Sequence, residues 1–209
     1  MTALRVRLLC VDDHRVVREG LSAMLGSQPD MEVVGVATTG EEAVELFRRH
    51  HPDVTLMDLQ LPTMSGLEAI RAIRRESPEA RIIVLTMYHG EEDIYRALEA
   101  GAASYLLKDS ISDDLAAMVR EVAAGRRPIP PNIAEVLAAR ATQSALSARE
   151  VQVVQLIGQG YRNREIATEL HIAEETAKVH VRRLFEKLNV NDRTAAVRIA
   201  LRRGIIHLD

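Results

Sequence analysis

The chain has a single cysteine and no long apolar run, and both absences restrict what it can be. Cys10 has no second cysteine with which to form an intramolecular disulfide, which fits a reducing compartment. No run approaches the ~20 apolar residues that a membrane-spanning helix needs, and the start of the chain has no signal-peptide pattern. Hydrophobic residues make up 47% and charged residues 27% of the 209 residues, as in ordinary globular proteins. We therefore expect a cytoplasmic protein of one or two domains, without a membrane partner.

The net charge is also small, and a value of −3 at first argues against a protein that binds nucleic acid. The charge is unevenly distributed, however. Residues 1–122 hold 13 basic and 21 acidic residues, whereas residues 145–209 hold 11 basic and 8 acidic residues. The near-neutral total therefore conceals an acidic first segment and a mildly basic second one.

Residues 1–122 alternate short apolar runs with helical patterns. The runs have the length of strands, and the segments between them repeat apolar residues at helical spacing. Five such strand–helix units in succession predict a parallel sheet with helices on both faces. The predicted strands are Val6–Val11, Val33–Ala37, Val54–Met57, Ile82–Thr86 and Tyr105–Leu107.

Polar side chains stand at the carboxyl ends of four predicted strands, where functional groups gather in such folds. Any one of them is better interpreted as an ordinary turn residue, but five at one edge are not. Clustered carboxylates need a cation, and oxygen ligands suit Mg²⁺. A carboxylate beside Mg²⁺ can attack a phosphoryl group, whose oxygens a hydroxyl and an ammonium group can then hold. The five residues are Asp12, Asp13, Asp58, Thr86 and Lys108.

Two neighbours of this cluster are expected to be structural. Cys10 lies inside the first predicted strand, where core packing is more common than redox chemistry. His14 follows the acidic pair, and we expect it to serve the loop or to cap the next helix. Metal ligation by this histidine is disfavoured because the expected ion prefers oxygen.

These motifs resemble the receiver domain of bacterial response regulators over about residues 5–122. The resemblance implies a flavodoxin-like sheet with the strand order 2-1-3-4-5. It also implies that Asp58 is the phosphoacceptor, that Thr86 and Tyr105 are switch residues, and that Lys108 pairs with the phosphoryl oxygens. The implied Mg²⁺ ligands are Asp12, Asp13, Asp58 and the carbonyl of Gln60. The segments that carry the resemblance are Val11-Asp12-Asp13-His14, Met57-Asp58-Leu59-Gln60-Leu61-Pro62, Leu85-Thr86 and Leu106-Leu107-Lys108.

Residues 145–209 predict a small domain of four helices. Ser147–Glu150 is a capping box that opens the first helix, Asn163 is the predicted N-cap of the second, and Asp192 that of the fourth. A short helix, the three-residue turn His171–Ala173 and a longer helix form a helix-turn-helix pattern. The buried stripe of the longer helix is predicted to be Ala177, Val181, Leu184 and Leu188.

A different face of this helix is basic. Lys178 and Arg182 are one turn apart and suit base edges and phosphates in a major groove, and Val179 suits a thymine methyl group. Solvation of a surface helix is the simpler interpretation of any one basic residue. The predicted phosphate contacts are Arg183, Lys187 and Arg193.

This second segment resembles the LuxR-type helix-turn-helix over residues 145–206. The resemblance implies base contacts by Lys178, Val179 and Arg182, and a fourth helix that supports a dimer on DNA. The candidate dimer residues are Val190, Val197 and Leu201. The segments that carry the resemblance are Leu146–Glu150, Gly160–Ala167, Thr176–His180, Leu188–Val190 and Arg193–Val197.

Together the halves resemble a response regulator of the NarL/FixJ type, with a receiver over 1–122, a linker with a short helix over 123–144 and a DNA-binding domain over 145–209. The resemblance implies a non-enzymatic regulator that a histidine kinase phosphorylates on Asp58 with Mg²⁺. The phosphorylated protein would bind double-stranded DNA as a homodimer, with RNA polymerase as a further candidate partner.

Two other classes stay open. Mg²⁺-dependent phosphatases also use an aspartyl phosphate, but they carry a second aspartate two residues after the nucleophile, where this chain has Gln60. The other class is a constitutive DNA-binding protein in which the first domain serves only for dimerisation.

Overall fold

The computed structural model describes residues 5–87, 90–110, 114–141 and 144–207. These residues divide into two compact units. The first unit holds the described residues of Met1–Met87 and Ile94–Ala134, and the second holds those of Tyr88–Asp93 and Glu135–Asp209. Part of the predicted linker, residues 142–143, lies outside the described residues.

The first unit is built on a five-stranded sheet in which every neighbouring pair of strands is parallel. The strand order is β2-β1-β3-β4-β5, so the predicted fold class is confirmed. All residues of β3, β4 and β5 are buried, as expected for parallel strands covered on both faces. The strands are β1 (Val6–Val11), β2 (Met31–Ala37), β3 (Val54–Met57), β4 (Ile82–Thr86) and β5 (Ser104–Leu107).

Local capping chemistry fixes where two of the helices start. The Thr39 hydroxyl accepts the Glu42 N–H at the start of α2, and Ser65 and Glu68 form a reciprocal capping box at the start of α3. A short 3₁₀ turn, Lys108–Ser110, follows β5. The helices are α1 (Arg15–Gly26), α2 (Gly40–His50), α3 (Gly66–Glu76), α4 (Glu91–Glu99) and α5 (Asp114–Ala123).

Apolar side chains of the strands and of α1 and α5 fill one continuous core, which includes Leu8, Leu56, Leu85 and Val119. Cys10 lies in this core with no exposed surface. Burial and the nearby charge of Asp12 raise the pKa of the Cys10 thiol to about 12. The predicted packing role of Cys10 therefore agrees with its surroundings.

The segment that follows α5 is bonded to the first unit. The Ser104 hydroxyl, on β5, donates to the Pro128 carbonyl at 2.6 Å, and the Arg127 guanidinium donates to the Ala102 carbonyl at 2.8 Å. Ile133 is 1% exposed and belongs to α6 (Pro131–Ala141). These residues of the predicted linker, 123–144, are thus anchored to the first unit.

The described residues 144–207 of the second unit form four helices in the predicted order. The buried stripe predicted for the longest helix is confirmed, since its four members are all within the core of this unit. Asp192 caps the last helix through the Ala195 N–H, as predicted. The predicted N-cap at Asn163 is wrong by one residue, because that position belongs to Arg162 and Asn163 is already helical. The helices are α7 (Ala148–Gly158), α8 (Asn163–Glu169), α9 (Glu174–Leu188) and α10 (Arg193–Arg202).

Within the described residues, no helix is both long enough and apolar enough to cross a lipid bilayer.

Candidate functional site

The carboxyl edge of the sheet brings together three charged side chains that the sequence places 46 and 50 positions apart. Asp12 follows β1, Asp58 follows β3 and Lys108 follows β5. The Lys108 ammonium lies 2.6 Å from Asp12 Oδ2 and 2.6 Å from Asp58 Oδ2. Asp12 is 1% and Asp58 3% exposed, so these two carboxylates are largely shielded from bulk water.

Burial and charge act in opposite directions on these groups. Desolvation raises the pKa of Asp58 above its ordinary value, although the hydrogen bond and charge of Lys108 oppose this rise. Burial alone would lower the pKa of Lys108, but hydrogen bonds and charges from Asp12 and Asp58 outweigh burial and raise it. The ammonium group is therefore held charged between two carboxylates.

Asp13 and His14 complete the cluster on its exposed side. His14 Nδ1 lies 2.6 Å from Asp13 Oδ1 and 3.5 Å from Asp12 Oδ1. Ligand atoms of Asp12, Asp13, His14 and Asp58 all lie within 4.8 Å of one another. Three carboxylates at one point suit a hard divalent cation such as Mg²⁺, so this donor set fits the cation that the resemblance implies.

The backbone around Asp58 depends on a glycine that the sequence analysis did not single out. A Cβ atom added to Gly66 would lie 1.8 Å from the Asp58 carbonyl oxygen. The Gly66 N–H also donates to the Leu59 carbonyl at 2.9 Å. The sequence does contain a signal for this close approach, because a glycine stands as the first residue of α3, directly after the Ser65 cap. The Gln60 N–H donates to Asp58 Oδ1 at 3.4 Å.

The two predicted switch residues are buried on adjacent strands. Thr86 ends β4 and Tyr105 lies in β5, and both have no exposed surface. Tyr105 pairs with Val84 in the sheet register, two residues before Thr86. With no exposed surface, Tyr105 packs inside the first unit, and its role as a switch residue stays a prediction.

A surface cavity of about 480 Å³ adjoins the acidic cluster. Lys108 and His14 line it together with apolar side chains of α1. The remaining lining residues are Val17, Gly20, Leu21, Met24 and Met87.

The second unit presents the predicted base-reading residues on the exposed face of α9. Val179 is 48% exposed, and the Arg182 side chain is 83% exposed. Lys178 pairs with Glu175 at 2.7 Å, and Arg182 pairs with Glu186 at 2.9 Å. Exposed pairs of this kind contribute little energy, so both cations are available to a polyanion.

The predicted phosphate contacts fall into two groups. Arg183 is exposed on α9. Lys187, by contrast, donates to the Glu150 carboxylate at 2.7 Å and to the Ala145 carbonyl at 3.1 Å. Arg193 donates to the Tyr161 carbonyl at 2.9 Å and also to the Asn163 side chain. Intramolecular roles for Lys187 and Arg193 thus stand beside their predicted DNA contacts.

The candidate dimer residues do not share one surface. Val197 and Leu201 line a cavity of about 660 Å³ between α10 and the α7–α8 turn. Leu201 is 38% exposed. Val190 instead lines a separate cavity beside Lys178 and Arg182. The structure therefore brings Val197 and Leu201 together and places Val190 nearer to the basic face of α9.

The parallel sheet with its buried aspartate–lysine cluster and the helix-turn-helix unit define a class of two-domain regulators. Comparison with known families gives the same result. Residues 8–120 match the response regulator receiver domain, and residues 144–200 match the luxR family of bacterial regulatory proteins. The chain belongs to the response regulators of two-component systems and carries a LuxR-type helix-turn-helix domain.

Two of the relatives described next cover nearly the whole chain, and the third covers two thirds of it. The response regulator protein VraR of Staphylococcus aureus (strain NCTC 8325 / PS 47) is 38% identical over 97% of this chain and 100% of VraR. The crystal structure of ChrA, a response regulator of a heme-sensing two-component system, is 37% identical, with a TM-score of 0.58 over 97% of this chain and 99% of ChrA. A LuxR-family response regulator from Aurantimonas sp. SI85-9A1 is 38% identical, with a TM-score of 0.63 over 66% of this chain and 99% of its own.

Proposed function

We propose that the chain is a transcription regulator that a histidine kinase switches on by phosphorylating Asp58. The observation that supports this proposal is the buried position of Asp58, with Lys108 Nζ at 2.6 Å and Asp12 beside it. In the transfer step, a carboxylate oxygen of Asp58 attacks the phosphorus of a phosphohistidine. The new O–P bond replaces the N–P bond, and the kinase imidazole leaves.

A divalent cation, Mg²⁺ in the first instance, would be held by Asp12, Asp13 and Asp58, with the Gln60 carbonyl as a further ligand. When bound, it supplies positive charge that offsets the charge of the transferring group. Lys108 pairs with an oxygen of the new phosphoryl group, and the Thr86 hydroxyl donates to another. Thr86 moves toward this group, and Tyr105 packs behind it. The charge that the phosphoryl group adds to Asp58 thus changes the packing around β4 and β5.

The domain does not act as an enzyme with turnover. Gln60 stands two residues after Asp58, and an uncharged amide cannot serve there as a general acid or base. Release of the phosphoryl group therefore depends on slow attack by water. This separates the chain from the Mg²⁺-dependent phosphatases.

Phosphorylation then allows α9 to act on double-stranded DNA as part of a homodimer. Lys178, Val179 and Arg182 contact base edges, and their exposure on one face of α9 supports this role. Residues 145–209 carry only three more basic than acidic residues, so one copy binds weakly and pairing raises the affinity. The phosphate contacts are Arg183, Lys187 and Arg193, and the dimer contacts are Val190, Val197 and Leu201.

Labelling with a small phosphodonor tests the central assignment. The wild-type protein should form an acid-stable, base-labile phosphoprotein with phosphoramidate, and Asp58→Asn should not. Asp192→Asn is the matched control, because asparagine is as good an N-cap as aspartate and preserves the start of α10. Normal labelling of Asp58→Asn would refute the assignment.

Beryllofluoride, a mimic of the phosphoryl group, separates a switch from a constitutive regulator. We expect tighter DNA binding and dimerisation of the wild-type protein in its presence, and no change for Asp58→Asn. Equal affinity with and without the mimic would favour a constitutive DNA-binding protein.

A further inference from the structure

The loop that follows Asp58 contains a β-branched residue in a backbone conformation that such residues avoid. Thr63 has a φ of 65°, in the left-handed region. His51 and Asn189 also have a positive φ, but each of them ends a helix, where this conformation is common. Thr63 instead lies within residues 58–65, the connection from β3 to α3, which we call the phosphoacceptor loop. A strained residue persists only where its surroundings enforce it, and such residues gather at functional sites.

Two contacts with the start of α2 hold the loop in this conformation. The Thr63 hydroxyl lies 2.7 Å from Glu41 Oε2 and 2.6 Å from the Pro62 carbonyl oxygen, so its one proton is shared between them. The next residue of the loop packs against the helix, because a Cβ atom added to Gly40 would lie 2.5 Å from the Met64 carbonyl oxygen. The loop backbone therefore lies directly on the first turn of α2.

Glu41 contacts the loop as a carboxylate. The bond from the Thr63 hydroxyl, aided by backbone N–H groups of Glu41 and Met64, lowers the pKa of Glu41 below its ordinary value. Glu41 and Thr63 are both exposed, so core packing does not hold them together. A hydrogen bond to a charged group is stronger than one between neutral groups. The Glu41 carboxylate is thus the side chain that restrains Thr63.

The loop is also fixed at both of its ends, so a change at Thr63 has few residues in which to be absorbed. The Asp58 N–H donates to the last residue of β1, and the Gly66 N–H donates to the Leu59 carbonyl, each at 2.9 Å. The carbonyl of Gln60 lies between these ends, three residues before Thr63. Relaxation of Thr63 to a negative φ therefore changes the direction of the nearby carbonyl groups.

We propose that Glu41 is a positioning residue for the cation site, because its bond to Thr63 keeps the phosphoacceptor loop in the conformation that binds Mg²⁺. The inference rests on the proposed function, which assigns Asp58 and the Gln60 carbonyl to that ion. Without the bond, Thr63 relaxes and the loop adopts other conformations. The apparent affinity for the ion then falls by the fraction of molecules that keep the binding conformation.

The test is a double-mutant cycle in which calorimetry measures Mg²⁺ binding to the full-length protein. Glu41→Ala removes the acceptor of the bond. Thr63→Gly removes the strain, because glycine adopts a positive φ about as readily as a negative one. The matched control is Glu45→Ala, which removes the same charge one turn further along α2, where Glu45 pairs with Arg49. Labelling by phosphoramidate at a series of Mg²⁺ concentrations gives a second measurement.

We expect the dissociation constant of Mg²⁺ to rise about tenfold in Glu41→Ala, as for lost outer partners of metal ligands. It should stay nearly unchanged in Glu45→Ala and in Thr63→Gly. In the Thr63→Gly background, Glu41→Ala should have little further effect, because the two residues act as one unit. The labelling rate at saturating Mg²⁺ should match that of the wild-type protein, since the bound ion restores the loop.

Two results would overturn the role of Glu41 and leave the proposed function intact. One is wild-type Mg²⁺ affinity in Glu41→Ala. The other is an equal loss of affinity from Glu41→Ala in the wild-type and Thr63→Gly backgrounds, which would indicate an effect of charge alone. Absence of Mg²⁺ binding by the wild-type protein would overturn the cation site itself.

Discussion

The Lys187 ammonium on α9 lies 2.7 Å from the Glu150 carboxylate at the start of α7. The Glu150 side chain is 4% exposed, and the same carboxylate accepts the Ser147 N–H and hydroxyl that form the capping box of α7. One buried carboxylate therefore joins the first helix of the second unit to the helix that carries the predicted DNA contacts.

Replacing Glu150 by glutamine should weaken this connection. The expected loss in the free energy of unfolding of the second unit is about 2 kcal/mol, because a hydrogen bond to a charged group contributes ~1.5–3 kcal/mol. Amide hydrogen exchange of α9 in the full-length protein measures the change. Glu169→Gln, which neutralises an exposed glutamate of α8, should leave exchange unchanged. Equal amide protection of α9 in Glu150→Gln and Glu169→Gln would contradict the stabilising role of the contact between Glu150 and Lys187.

The same contact predicts a pH dependence. Burial alone would raise the pKa of Glu150, but the bonds to Lys187 and Ser147 outweigh burial and lower it below its ordinary value of 4.5. A lowered folded-state pKa gives stability that is complete above about pH 4.5 and is lost as pH falls through the folded value. Acid unfolding of α9, followed by circular dichroism, should therefore be shallower for Glu150→Gln than for the wild-type protein. Acid-unfolding curves of equal steepness for the two proteins would argue against a contribution of Glu150 to this pH dependence.

Gly66→Ala should distort the backbone of the phosphoacceptor site without adding or removing a charge. The new Cβ would lie 1.8 Å from the Asp58 carbonyl oxygen, so the backbone at Asp58 must move. We expect a loss of ~1–3 kcal/mol in stability, as for other overpacked positions. We also expect slower labelling by phosphoramidate, because small displacements of a reacting group reduce rates strongly.

Gly20→Ala is the matched control for this change. Gly20 lies on α1, and among the described residues no atom is within 4 Å of the position of an added Cβ. Alanine should stabilise this helix by ~0.5–1 kcal/mol and leave the labelling rate unchanged. Wild-type labelling by Gly66→Ala would show that the approach of Gly66 to Asp58 is not needed.

Ser104→Ala should release the segment after α5. The variant removes the hydroxyl that donates to the Pro128 carbonyl at 2.6 Å, a bond worth ~1 kcal/mol. Amide exchange at Ile133 and Ala134, whose N–H groups bond to Pro130, should become faster. Ser27→Ala removes an exposed hydrogen bond from the Ser27 hydroxyl, just after α1, to the Met24 carbonyl and should not affect these amides. Unchanged exchange in Ser104→Ala would mean that Arg127 and Ile133 suffice to anchor the segment.

Lys178→Gln should weaken DNA binding in a salt-dependent way. If Lys178 contacts the nucleic acid, its loss lowers affinity and reduces the slope of log affinity against log salt by about one. Arg202→Gln removes the same charge from the exposed end of α10, outside the predicted contacts. A smaller effect of Lys178→Gln than of Arg202→Gln would contradict the assigned face of α9.

Most of the fold follows from short-range patterns in the sequence. The apolar runs of the strands and the spacing of Ala177, Val181 and Leu184 depend only on neighbouring residues, and these predictions are confirmed. The joint position of Asp58 and Lys108 at one edge also follows, because parallel strands end at the same side of a sheet. Geometry of this kind needs no knowledge of side-chain contacts.

The contacts that were not predicted join residues distant in sequence. The phosphate contact predicted for Lys187 stays a prediction, but the ion pair of Lys187 with Glu150 was missed because the two residues are 37 positions apart. The bond from Ser104 to Pro128 and the approach of Gly66 to Asp58 depend on how elements pack in three dimensions. His14 differs again, because its N-cap position was correctly expected while the direction of its ring was not.

The burial of Cys10 makes the natural chain ready for spectroscopic labelling. Because its pKa is raised to about 12, the Cys10 thiol stays protonated at neutral pH, and no part of the residue is exposed to a reagent. Maleimide or nitroxide probes would therefore react with cysteines introduced at chosen surface positions and spare the native one. Pairs of such probes, one in each unit, would report the separation of the units before and after phosphorylation without altering the core.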